Sequence, residues 1–342
     1  REAGRAEVAP VVKADAYGLG LGPVARRLWS EGARRFFTAR LSEGVALRAA
    51  LGPARPAAIC VLDGCTDDDA PHMVAHELTP VLNSLPQVRE WTAHARTLGR
   101  TLSGVLHVDT GLNRLGLRPE EARALSQTSD GLRGVELEVV MSHLACADPE
   151  VAAMDVEQAA RFEAITALFP QARTSLGASA GLFLGPRFRG QVVRPGIALY
   201  GGGPFQMPDS RLRPVATLDA PILQVRSVAP GESVGYGAAY RAERALRVAV
   251  VGLGYADGVL RASERPRYGW FAGAKRAVLG RISMDLIALD VTGCEAWPGA
   301  RVELFGPNLP VDEAAADAGT IAFELLSNVA PRVQRVHLGA QG

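Results

Sequence analysis

The chain has 342 residues, 48% hydrophobic and 21% charged, the profile of a water-soluble protein with room for two domains. Its 37 Lys and Arg against 36 Asp and Glu leave a net charge of +1, so no overall basic field favours nucleic acid or an anionic membrane as partner. No long apolar run and no charged-then-apolar leader is found, and Cys60, Cys65, Cys146 and Cys294 lack CxxC spacing, which excludes a disulfide framework or zinc ribbon and predicts a cytoplasmic setting.

Through the first part of the chain, short apolar β-prone runs alternate with longer Ala- and Leu-rich amphipathic stretches. The runs are Val8–Ala14, Phe36–Ala39, Ala58–Leu62, Pro80–Leu82, Gly104–Val108, Leu137–Ser142, Thr174–Leu176 and Val192–Tyr200. Between them, Gly22–Glu31, Ser42–Ala50, Ser84–Leu98, Pro119–Thr128 and Met154–Phe169 have helical length and composition. Ser42 and Ser84 are expected N-caps, Ser84 with Gln87 in a capping box, and Gly52 is the expected stop of the second helix. Eight β/α units predict a (β/α)8 barrel of the TIM type. After Gly201–Pro204, Val215–Val228, Arg247–Gly252, Ala277–Leu279, Asp285–Val291 and Val302–Leu304 are β-rich and separated by Gly/Pro turns, with a helix near Ala314–Leu326. The expected division is a barrel over residues 1–207 and a mostly β domain over 208–342, meeting in the connector near Pro208.

Lys13 ends the first predicted strand, the end at which such a barrel carries its chemistry. A lysine shielded there by apolar walls has a lowered pKa and can form an imine with a carbonyl; the plain alternative is a lysine snorkelling toward Asp15. Tyr17 stands one helical turn further on, on the same side by spacing. Ser179, Gly196 and Ile197 follow strands seven and eight, where barrels commonly bind phosphate. Arg194, between Val193 and Pro195, is read as buried, and His143 closes the sixth strand. Gly18-Leu19-Gly20-Leu21-Gly22 lacks the G-x-G-x-x-G spacing of a dinucleotide loop. His72 and His76 stand four apart, but with no H-E-x-x-H arrangement and no third ligand nearby they read as a solvated face, and no metal is expected.

Val12-Lys13-Ala14-Asp15-Ala16-Tyr17-Gly18 resembles the signature of bacterial alanine racemases, pyridoxal 5'-phosphate enzymes with a barrel and a C-terminal β domain. The resemblance continues, in family order, through Val108–Gly116, Met141–Leu144, Val193–Gly201, Gly235–Tyr240, Gly254–Gly258 and Arg281–Asp285. It implies that Lys13 holds the cofactor and serves as one of two bases, the other being Tyr236, delivered from the partner subunit of a homodimer with shared active sites. By the same resemblance Tyr17, Ser179 and the amides of Gly196 and Ile197 contact the phosphate, Arg194 faces the pyridine nitrogen, and His143 lies by the ring. Arg114 is implied in contact with the phenolic oxygen and the substrate carboxylate, with Tyr255 and Met284 as further substrate contacts from the partner. The implied activity is interconversion of L- and D-alanine, the D-isomer serving peptidoglycan.

Some positions depart from the family pattern. His107 stands where many members carry a carbamylated lysine that positions the nearby arginine, so a small anion such as chloride or a nearby carboxylate is expected to take over toward Arg114. Ala178 replaces a frequent asparagine, and Pro331 a phosphate-contacting tyrosine of some members; the strand and helix that members carry upstream of the lysine are not represented. The rival readings are a racemase of broader specificity, a decarboxylase using a β-domain cysteine such as Cys294, a pyridoxal-phosphate carrier, and an inactive cofactor-binding paralogue.

Overall fold

The residues described in the computed structural model are 2–147, 152–262 and 265–339. They separate into two units, one of residues 2–16, 20–196 and 337–339, the other of residues 17–19 and 197–336. In the first unit, strands β1 (Glu7–Val8), β2 (Arg35–Thr38), β3 (Ala58–Val61), β4 (Leu78–Leu82), β5 (Leu102–His107), β6 (Val135–Met141), β7 (Arg173–Ser175) and β8 (Val192–Val193) alternate with helices. β2 to β7 form a continuous parallel sheet and β1 pairs in parallel with β8. Backbone bridges from Val11 to Phe37 and from Ala178 to Arg194 complete the ring. Phe36, Phe37, Ile59, Val61, Leu82, Val105, Leu106, Val139 and Val140 are fully buried, as expected of parallel strands covered on both faces.

The first and last strands are shorter than the sequence suggests. After β1 the chain keeps single contacts, Pro10 O to the Phe37 N–H and the Val12 N–H to Phe37 O, and then coils into one turn, α1 (Lys13–Tyr17). After β8, Pro195 cannot donate to a ladder, and a short helix takes over at Ile197–Tyr200. The first two long helices are α2 (Leu21–Ser30) and α3 (Leu41–Leu51). Ser42 does not cap α3: the helix begins one residue earlier, and the Glu43 carboxylate accepts from the Ala39 and Arg40 N–H groups. Gly52 does follow its end, and Ser84 does cap its helix, its Oγ accepting from the Gln87 N–H. The Gln87 side chain bonds the Asn83 N–H rather than that of Ser84. The helices after α3 are α4 (Ala70–Ala75), α5 (Leu85–Leu98), α6 (Pro119–Gln127), α7 (Ala152–Thr166) and α8 (Ser179–Leu184).

The second unit holds β9 (Leu218–Val228), β10 (Ser233–Val234), β11 (Tyr240–Arg241), β12 (Leu246–Val251), β13 (Tyr268–Phe271), β14 (Ala274–Leu279), β15 (Ile287–Asp290) and β16 (Arg301–Phe305). Six of these close an antiparallel barrel in the order β12, β15, β14, β13, β16, β9. β9 switches partner halfway: Leu218–Pro221 pairs with β16 and Ile222–Val228 with β12, with Pro221 at the changeover. The single helix expected near Ala314–Leu326 is two, α9 (Val311–Asp317) and α10 (Ala322–Ser327), interrupted at Gly319, whose φ is +73°. Among the described residues no helix is long and apolar enough to cross a membrane.

Trp91 of α5 is buried against the barrel and its Nε1 donates to Ser103 O at 3.0 Å. Trp91→Ala leaves a cavity and an unsatisfied carbonyl, so it should lower unfolding free energy by about 3–5 kcal/mol, read from the midpoint of denaturant unfolding.

Candidate active site

Lys13 opens α1, five residues beyond the C-terminal end of β1, and is half buried. Desolvation and the Arg114 guanidinium hold its pKa below the usual lysine value, against Glu43 and Asp63, which favour the ammonium. The turn that follows is left-handed: φ is +52° at Ala14, +55° at Asp15, +53° at Ala16 and +57° at Tyr17. Such a conformation costs an L-residue about 1–2 kcal/mol, so this segment must be held by bonds outside it. Tyr17 itself is packed in the second unit, its ring centroid 4.5 Å from that of Tyr200 and 5.9 Å from that of Phe323, and burial pushes its phenol up to about 12.

The loop after β5 shows why its sequence reads Asp-Thr-Gly-Leu-Asn-Arg-Leu-Gly. Asp109 Oδ1 accepts from the N–H groups of Gly111 and Leu112, both at 2.9 Å, and Asn113 N–H closes on the same carboxylate. Gly116 has φ +110°, and a Cβ there would lie 2.8 Å from Asp109 N. The loop is thereby folded back on its strand, and Arg114 projects from its tip. Arg114 is exposed and makes no ion pair among the described residues, so the carboxylate expected to take over from a carbamylated lysine is not found there.

His107 instead turns to an amide. Asn83 commits both Nδ2 protons to Leu62 O and Val81 O, at 2.8 and 2.9 Å, and its Oδ1 therefore accepts from His107 Nδ1 at 2.8 Å. This bond assigns the tautomer and leaves Nε2 as an acceptor. Desolvation, with the charges of Arg194 and Arg114 opposing a proton, brings the His107 pKa down to about 4. His143 is held to about 3 by burial and the facing charges of Arg194, Arg114 and Lys13. Arg194 is 3% exposed, and no carboxylate pairs with it among the described residues. Its guanidinium donates to Ser142 O at 2.5 Å, to Ser175 O at 2.9 Å and to Ser175 Oγ. Burial lowers its pKa to about 10, still a cation at neutral pH.

Gln158, fully buried on α7, joins two of these loops. Its Oε1 accepts from Ala145 N–H at 2.7 Å, and its Nε2 donates to Thr110 Oγ1 and His143 O, both at 3.1 Å. Thr110 Oγ1 also pairs with Ser142 Oγ at 2.8 Å. Neither Asn83 nor Gln158 was singled out by the sequence. A lone amide carries no motif, and both are defined by partners far away in the chain.

Ser179 opens α8 with its Oγ accepting from Gly196 N–H at 2.9 Å, so these two expected phosphate contacts are adjacent; Ile197 follows directly in the chain. Ala178 precedes that helix and offers no side-chain cap. In the second unit Tyr236 is 69% exposed, in a turn flanked by Gly235 and Gly237, and Met284 and Tyr255 are exposed too. Tyr255 and Ala256 donate to Ser283 O and Met284 O, which places Tyr255 beside Met284. Arg332 bridges the neighbouring Asp257 and Asp285. Pro331 lies in a turn closed by the Val333 N–H on Ala330 O, and Cys294 donates its thiol to Val291 O in the turn after β15.

The neutral imidazoles give the unit a pH signature. Unfolding returns both to an ordinary value near 6.5, so between there and about pH 4 the unfolded chain binds more protons than the folded one. Their stabilisation is complete above pH 6.5 and is lost as pH falls toward 4 for His107 and 3 for His143. Urea midpoints should drop across that window in the wild type, and less steeply in His107→Gln.

The site gathers an amine of lowered pKa, two guanidiniums and two neutral imidazoles, while the carboxylates of Asp109 and Glu43 are occupied by backbone N–H groups. That donor set fits an anionic group bearing an aldehyde, as pyridoxal phosphate is. The family description "Alanine racemase, N-terminal domain" matches residues 1–204 and "Alanine racemase, C-terminal domain" residues 215–337. An alanine racemase of Methylobacterium sp. (strain 4-46) is 45% identical over 98% of this chain and 92% of its own length. A catabolic alanine racemase of Agrobacterium fabrum is 40% identical over 97% of this chain and 86% of its own. The crystal structure of alanine racemase from Bartonella henselae with covalently bound pyridoxal phosphate superposes with a TM-score of 0.92 at 32% identity, over 98% of this chain and 94% of that one. The biosynthetic alanine racemase from Pseudomonas aeruginosa superposes with a TM-score of 0.90 at 35% identity, over 98% and 93%. The chain therefore belongs to the alanine racemase family, and is a pyridoxal-phosphate-dependent racemase built from a (β/α)8 barrel and a C-terminal β domain.

Proposed function

We propose that this enzyme interconverts L- and D-alanine with two bases, Lys13 on one face of the cofactor and Tyr236 of the partner subunit on the other. The observation that carries the reading is the place of Lys13, a half-buried amine of lowered pKa that opens the turn following the first barrel strand. When bound, pyridoxal phosphate supplies the electron-withdrawing ring that acidifies the substrate Cα–H. Lys13 holds the cofactor and, once freed by substrate, takes up or returns the Cα proton on its own side. Tyr236 of the partner subunit would hold or return the proton on the opposite side, so that each base would serve its own side of the substrate. Arg194, which keeps its proton, would face the ring nitrogen of the bound cofactor without protonating it, and would so favour return of the substrate proton over transamination. Arg114 binds the substrate carboxylate with help from Tyr255 and Met284 of the partner, His143 packs by the ring, and Tyr17, Ser179, Gly196 and Ile197 hold the phosphate.

The homodimer is supported by the large apolar side chains that the second unit exposes, among them Leu223, Tyr236, Tyr255, Met284 and Leu286. In this reading residues 1–207 form the cofactor-binding barrel, and residues 208–342 the domain that completes the partner's site. We assign the enzyme to the cytoplasm, in keeping with four free cysteines, and its D-alanine to peptidoglycan supply.

Borohydride reduction of the loaded protein followed by peptide mapping should place the pyridoxyl group on Lys13; Lys275, the other lysine of the chain, is the alternative that would displace the assignment. Mixing Lys13→Ala with Tyr236→Phe subunits should restore racemisation through the one intact site of each heterodimer. Demonstrated subunit exchange without recovered activity would count against a shared site.

A further inference from the structure

Four consecutive non-glycine residues in the left-handed region, Ala14 to Tyr17, need external support. Part of it is local: Asp15 accepts from Gly20 N–H through its carbonyl and from Leu21 N–H through its carboxylate, at 2.9 and 2.7 Å. The residue next to Lys13 is held differently. The Ala14 N–H donates to Glu43 Oε1 at 2.7 Å, while Oε2 of the same carboxylate accepts from Ala39 N–H at 2.7 Å and Arg40 N–H at 3.2 Å. One side chain thus ties the start of the strained turn to the end of β2 and the first turn of α3. Its charge also favours the Lys13 ammonium, together with Asp63 and against Arg114.

Resting on the assignment of Lys13 as the cofactor-bearing amine, we propose that Glu43 is a positioning residue for Lys13: by holding the Ala14 N–H it fixes the left-handed turn and with it the direction in which the lysine leaves the barrel strand. A carboxylate can accept on both sides, whereas the amide of Gln accepts on one side and turns two protons toward the other donors. Asp keeps the charge near the start of α3, but is one methylene too short to reach both ends of the clamp. Glycine at position 14 would take the same φ without strain, and so would depend less on the clamp.

The test uses the full-length protein and the variants Glu43→Gln, Glu43→Asp, Ala14→Gly and Glu43→Gln/Ala14→Gly. Each is reduced with borohydride and mapped, titrated with pyridoxal phosphate for its Kd, and followed through thermal unfolding. Both Glu43 variants should still carry the pyridoxyl group on Lys13, with cofactor Kd raised roughly tenfold, the loss of one charge-assisted hydrogen bond. The Glu43→Gln penalty should shrink several-fold in the Ala14→Gly background. Unchanged cofactor affinity in Glu43→Asp and Glu43→Gln with only a lowered Tm would overturn the proposal and leave Glu43 a helix cap. An equal penalty with Ala or Gly at position 14 would overturn it too. Wild-type pyridoxyl label on Lys275 would overturn the reading of Lys13 itself, and the proposal with it.

Discussion

A guanidinium withdrawn from water and left without a carboxylate constrains every group near it. Arg194 meets that constraint with backbone carbonyls from the ends of β6 and β7, which neutralise its hydrogen-bonding needs but not its charge. Burial is the first cause that keeps His143 and His107 unprotonated, and the uncompensated charge of Arg194, with that of Arg114, adds to it. That charge also explains the choice of partners nearby. Asn83 and Gln158 orient their neighbours as neutral amides, and so leave the positive field for an anionic group to satisfy.

The loops that bear these groups are stiffened by short-range bonds rather than by apolar packing. Asp109 gathers three successive N–H groups, a nest-like arrangement that fixes the path of residues 109–113 and thereby the origin of Arg114. Gln158 then links that loop to the one carrying His143 through Thr110 Oγ1 and His143 O. A site assembled from several strand ends needs such cross-links, because each βα loop taken alone is a surface segment with little apolar burial.

Much of this was legible in the sequence because it is encoded locally. The alternating apolar runs gave the strands, the Asp-Thr-Gly-Leu-Asn-Arg motif marked the β5 loop, and the apolar setting of Arg194 pointed to burial. What was not legible has non-local causes. Nothing in Lys13-Ala14-Asp15-Ala16-Tyr17 announces a left-handed turn, since alanine and tyrosine avoid that region unless other segments hold them there. β13 is not among the expected strands although Tyr268 and Trp270 alternate and Ala272-Gly273, both at positive φ, make a two-residue hairpin loop; Gly269 in mid-strand weakens the pattern. The tautomer of His107 depends on Asn83, 24 residues earlier, which no spacing rule connects to it.

The ordering of the native contacts in time also follows from the map of partners. β1 finds its ladder partner in β8, with Glu7 opposite Val192, and Tyr17 stacks near Phe323, about 300 residues further along. During synthesis from the N-terminus the bonds of this segment to Phe37 and Glu43 can form early, whereas β1 waits for its ladder partner until residues 192–193 have emerged, and Tyr17 for Phe323 until nearly the whole chain has. Contacts of such long sequence separation form slowly, and the strand left open meanwhile is a ready template for pairing with another chain. Ring closure around the lysine is in this sense a late event of biogenesis, and the brevity of β1, two residues long, limits the edge that is exposed while it waits.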